Sequence, residues 1–122
     1  EGILISANHK VVDGRYYPHY LGRTWKSGYR AQAIRHELSR LLEGGQKLRP
    51  QQMPEVLMNV RSWAAVAFVE ELRSVQPEGD TADALALLLS WDGQLRLDSV
   101  PAALYQLTHS QLVEVLLERG CQ

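Results

Sequence analysis

This 122-residue sequence predicts a mainly α-helical fold with a short N-terminal β segment. Three observations carry that expectation. The opening run Gly2-Ile3-Leu4-Ile5 is aliphatic and β-branched, the composition of a strand. From Tyr29 onward, apolar residues recur at three and four positions, the period of a helix with one buried stripe. Start and stop signals (Gly44-Gly45, Pro50, Asp92-Gly93, Pro101 and Gly120) fall between those stripes.

Residues 1–13 read as a core strand, or as two short strands broken near Asn8, closed by a turn at Asp13-Gly14. Ile3, Leu4 and Ile5 are continuous rather than alternating, which suits a strand covered on both faces. Such a strand needs partners, and the rest of the chain offers no convincing one. Residues 14–28 form a loop punctuated by Gly14, Pro18, Gly22 and Gly28 and rich in aromatics: Tyr16, Tyr17, Tyr20 and Trp25. A loop of that length is more often functional than idle.

Residues 29–122 form the helical part. Ala31, Ile34, Leu38 and Leu41 make the stripe of a first helix, with Ser27 as its expected N-cap and Gly44-Gly45 as its stop. A second helical region follows Pro50, with Pro54 in its first turn or breaking it. Val56, Leu57, Val60, Trp63, Ala64, Ala67, Phe68 and Leu72 continue its spacing to Pro77. Asp80 or Thr81 caps a third helix through Leu89, and a fourth runs from about Ser99 to Glu118. One strand, one loop and four or five helices make a lopsided autonomous domain. The expectation is therefore a single segment of something larger.

Composition narrows the function classes. No apolar run approaches the ~20 residues needed to span a bilayer, and Glu1-Gly2-Ile3-Leu4 lacks the basic start of a signal peptide. Cys121 is the sole cysteine, so an internal disulfide and a zinc cluster built on cysteines are excluded. Residues 1–50 hold nine Lys/Arg against four Asp/Glu, a balance of +5, whereas residues 51–122 hold four against ten, a balance of −6. A basic, tyrosine-rich first third suggests phosphate contacts and base stacking. The sequence pI of 6.5 and the lack of any nucleic-acid motif argue against that, so no nucleic-acid partner is expected.

Candidate chemistry is sparse. His9, His19, His36 and His109 show no i, i+3 or i+4 pairing, so they predict no metal site and read as surface or hydrogen-bonded histidines. There is no Gly-x-Ser-x-Gly elbow and no phosphate-cradling glycine motif. What is left is Asn8 at the end of the apolar segment and Arg30 at the head of the first helix. A rigid Asn amide stabilises a developing oxyanion, and a permanently charged guanidinium can orient it. The plainer alternative is an Asx turn and an Arg on a solvated helix face.

Those residues also carry a family likeness. Gly-Ile-Leu-Ile-Ser-Ala-Asn-His-Lys-Val-Val (2–12), Tyr-Tyr-Pro-His-Tyr-Leu-Gly (16–22) and Gly-Tyr-Arg-Ala-Gln-Ala-Ile (28–34) resemble the nucleophile-bearing β chain of the penicillin acylase family. Leu-Ser-Trp-Asp-Gly (89–93) is similar to that family's Trp-Asp-Gly turn between helices. The resemblance implies a piece of a larger αββα N-terminal-nucleophile hydrolase sandwich that hydrolyses the amide bond of a small acyl-amide substrate. It implies that Asn8 contributes to the oxyanion hole and that Arg30, twenty-two residues on, supports it.

It also implies what this segment does not supply. In the family a Ser or Cys freed at a new N-terminus attacks the amide, with its own amino group as base. Neither Glu1 nor an internal Ser fills that role, and Cys121 is a poor candidate. The expected partners are thus the rest of the acylase, its α chain and an upstream β-chain segment. Alone, the 122 residues are expected to be inactive. The family's calcium site is not carried over, because His19 stands where an Asp ligand would, and no cofactor is expected. A Gln-x-Asp of the family is replaced around Leu57-Met58-Asn59. A periplasmic or secreted location follows from the resemblance only. The competing reading is a non-catalytic helical protein-interaction module.

Overall fold

The computed structural model describes residues 2–120; Glu1 and Cys121, both weighed above as nucleophiles, lie outside the described residues. The chain divides into two compact units, Glu1–Asn59 and Val60–Gln122. The described residues form five α-helices: α1 (Tyr29–Leu41), α2 (Met53–Leu57), α3 (Trp63–Glu71), α4 (Thr81–Leu89) and α5 (Val100–Gly120). Among the described residues there is no β-sheet, only two isolated bridges, His9 with Lys26 and Arg61 with Gln94.

The expected N-terminal strand is therefore corrected. Residues 3–7 have no ladder partner, and a strand without a neighbour has nowhere to put its backbone N–H and C=O groups but water. The chain there is nonetheless extended in its exposure pattern. Ile3, Ile5, Ala7 and His9 are at least half-covered, while Leu4, Ser6, Asn8 and Lys10 are exposed, the two-residue period of an extended segment. Leu4 is fully exposed, so the described residues do not cover this segment on both faces. The turn at Asp13 is present as expected: its carboxylate accepts from the Arg15 N–H at 2.9 Å, and its C=O accepts from Tyr16 and Tyr17.

In the first unit α1 has Gly28 rather than Ser27 at its N-cap, and no side chain caps its first turn. Its stripe of Ala31, Ile34, Leu38 and Leu41 runs as the spacing predicts, with one addition: Glu37 is buried on that face. Arg40 explains how. Its guanidinium reaches Glu37 at 3.1 Å and Glu55 of α2 at 3.2 Å, so one cation serves a carboxylate from each helix. Gly44 and Gly45, at φ 69° and 75°, end the helical stretch in the left-handed region that glycine adopts without strain.

The second helical region is not continuous. Met58–Ser62 breaks it, because the backbone from Val60 to Ser62 turns to pair with residues 93–95. The Leu95 N–H donates to the Val60 C=O at 3.0 Å and the Ser62 N–H to the Gly93 C=O at 2.9 Å. Ser62 then caps α3, its Oγ accepting from the Ala65 N–H at 3.2 Å.

In the second unit α3, α4 and α5 enclose a core of Ala65, Leu88 and Tyr105, flanked by Phe68, Leu72, Trp91 and Leu104. Tyr105 is its hub, with ring centroids 5.5 Å from both Phe68 and Trp91 and 5.6 Å from His109. The Trp-Asp-Gly turn is part of this packing. The Trp91 indole donates to the Gln94 C=O at 3.1 Å, and Asp92 accepts from the Gln94 N–H. Gly93 has φ 76°, and a Cβ there would lie 2.6 Å from Val66 Cγ2, so only glycine fits. Past Thr108, α5 keeps Leu112, Val113, Leu116 and Leu117 exposed.

Candidate functional site

The site is assembled in the first unit by two short features. Ala7, 2 % exposed, anchors the extended segment, and the next residue, Asn8, turns the backbone at φ 59°. A non-glycine residue pays for that left-handed conformation, Asn least of all because its short amide supports the turn. The turn is held from the other side by Lys26, whose N–H donates to the Asn8 C=O at 2.7 Å. That bond belongs to the parallel bridge between His9 and Lys26, which closes the loop between them.

Arg30 stands in the first turn of α1, two residues past Gly28, with its side chain in solvent. Its Nη1 donates to Asn8 Oδ1 at 3.5 Å, a long hydrogen bond spanning 22 residues. The two residues singled out from the sequence are thus neighbours in space. The geometry has a chemical consequence: with the amide oxygen turned to the guanidinium, the Asn8 NH2 group faces away from it. An amide so held can donate two hydrogen bonds to an acceptor, and the nearby permanent positive charge favours an anionic one.

The loop that joins these residues is tied down by its own groups. Arg15 pairs with Asp13 and lies over the Tyr16 ring at 5.7 Å. That hydrogen-bonded guanidinium holds the Asp13 carboxyl below its usual value of 3.8. His19 packs edge-on to Tyr17, with ring centroids 5.3 Å apart, and helps line a recess of about 170 Å³ with Lys10, Tyr20 and Trp25. No three His, Cys, Asp or Glu come together among the described residues. No helix of the described residues is long and apolar enough to cross a membrane.

Sequence reasoning missed one feature of this site. His9 is turned inward and its Nδ1 is buried with no hydrogen-bond partner among the described residues. The signal was there in its parity: counted by twos, His9 falls on the side of Ile3, Ile5 and Ala7.

Fold and site together define a mainly helical chain that displays an amide and a guanidinium at the two ends of an aromatic loop. The penicillin amidase family model matches this chain over residues 1–122, and the chain belongs to that family. By that membership it is amidohydrolase-like. No curated protein and no solved structure matches it.

Proposed function

We propose that this chain supplies part of the oxyanion site of an amidohydrolase that cleaves small acyl amides. Asn8 donates its side-chain N–H to the oxygen of the tetrahedral intermediate, and Arg30 holds the Asn8 amide in that orientation. One observation carries this reading: the Arg30 guanidinium meets the Asn8 oxygen, not its NH2 group, at 3.5 Å. The alternative of an unrelated Asx turn and a solvated Arg leaves that meeting across 22 residues unexplained.

In this account the nucleophile and the second oxyanion donor come from parts of the enzyme other than these residues. Apolar side chains left in solvent, Leu4 and Leu97 fully so, are consistent with cover from such parts. A periplasmic or secreted setting and independence from calcium belong to the same proposal.

The test is Asn8→Gly in the complete enzyme, since glycine keeps the φ 59° turn at no strain while removing the side-chain amide. Loss of one oxyanion donor lowers kcat by about 10²–10³. An unchanged kcat would remove Asn8 from the mechanism. Asn8→Ala should lose as much rate and, in addition, some stability.

A further inference from the structure

Beside the site, the proposed chemistry leaves unused a buried nitrogen, His9 Nδ1, that has no hydrogen-bond partner among the described residues. It lies on the residue after Asn8, at the bridge to Lys26 that fixes the Asn8 turn. A buried imidazole nitrogen without a partner is costly, and in native proteins such atoms are almost always satisfied by protein or ordered water. The exposure alternation gives the two neighbours opposite tasks: Asn8 faces outward with its amide, while His9 faces the interior with its ring. They share one peptide plane, so whatever fixes His9 fixes the carbonyl of Asn8, which Lys26 N–H holds at 2.7 Å.

We infer that His9 is a positioning residue for Asn8, acting through a hydrogen bond at its Nδ1. The partner is a hydrogen-bonding group, an ordered water or a polar atom of the enzyme beyond these residues, that enters the interior side of the segment. With the bond made, the peptide between residues 8 and 9 cannot rotate, and the Asn8 amide keeps its aim. Without it the left-handed turn, which Asn tolerates but does not require, relaxes. This inference rests on the oxyanion role proposed for Asn8.

The chemistry of the ring atoms sets a specific test in the complete protein. An Asn side chain places a polar atom near the position of histidine Nδ1, whereas a Gln side chain reaches the position of Nε2. His9→Ala should lower kcat about 10- to 100-fold with KM little changed, the signature of an interaction used in the transition state. His9→Asn should restore most of the rate and His9→Gln should not. Amide hydrogen exchange of Lys26, which needs no substrate, should speed up about tenfold in His9→Ala and return in His9→Asn. Equal rescue by Gln, or wild-type kcat and exchange in His9→Ala, would overturn the inference. A KM rise with kcat unchanged would do so too. If Asn8→Gly is slow while His9→Ala is not, only the His9 role fails. If Asn8→Gly is itself unimpaired, the oxyanion reading fails and the catalytic role of His9 with it; the Lys26 exchange then still decides whether Nδ1 holds the turn.

Discussion

The first 28 residues and the helices from Trp63 onward are held together in opposite ways. The later region is a packed core: Ala65, Leu88 and Tyr105 are buried, Phe68 and Trp91 lean on the Tyr105 ring, and Gly93 admits no side chain. The early region has hardly any core. Among the described residues before α1, Ala7 alone is buried, and the segment is fixed by a backbone turn at Asn8, a bridge to Lys26 and a carboxylate turn at Asp13. Packing decides the scaffold, and directional polar contacts decide the site. An arrangement built in this way keeps its amide and guanidinium in solvent, where a core would bury them.

Substitutions can break that contrast. The largest effect is expected at the hub of the core. Tyr105→Ala removes a ring that is 5 % exposed and should destabilise the chain by about 3–5 kcal/mol, read from the denaturant midpoint. A loss below about 1 kcal/mol would show that the aromatic cluster is not the core it resembles. Gly93→Ala follows, at about 2 kcal/mol or more, because the new Cβ meets Val66 at 2.6 Å and the residue sits at φ 76°. Ser62→Ala deletes only the cap of α3 and should cost about 1 kcal/mol, with Ser62→Asp close to neutral.

Smallest is Asp13→Asn, a change within the polar scaffolding of the loop. Arg15 depresses the Asp13 carboxyl, so its contribution is present above the unfolded-state value and is lost as pH falls through the lower folded value. The pair lies at the solvent-exposed surface, so the difference between Asp13→Asn and wild type should be slight at pH 7 and should close as pH falls below about 3.8. A difference that widens in acid would reverse the assignment of Asp13 to Arg15.

The same contrast governs what could be read from the sequence. The apolar stripes marked α1, α4 and α5 nearly to the residue, because helix periodicity and packing are the same signal there. The break at Met58–Ser62 was hidden, since Val56, Val60, Trp63 and Phe68 keep helical spacing straight through it. Only the pairing of residues 60–62 with 93–95, a long-range fact, interrupts the helix. The burial of Glu37 is not marked in the pattern either: Arg40, three residues on, pairs with it, but that Arg40 also binds Glu55 of α2 is a long-range fact. Ile3-Leu4-Ile5 read as a strand covered on both faces because composition reports apolarity, not neighbours. Asn8 and Arg30 emerged from chemistry and family likeness together, whereas the contact between them is a property of the folded loop. His9 reads as a surface or hydrogen-bonded histidine when weighed only for metal spacing, although its parity with Ile3, Ile5 and Ala7 marks the inward side.

The account stands on one coupling: Arg30 acts through Asn8. A double-mutant cycle of Asn8→Gly and Arg30→Ala on kcat in the complete enzyme tests it directly. If Arg30 serves only to aim the Asn8 amide, the double variant should be no slower than Asn8→Gly alone, about 10²–10³ below wild type. Losses that simply multiply would contradict the account, for they would mean that the two side chains act independently.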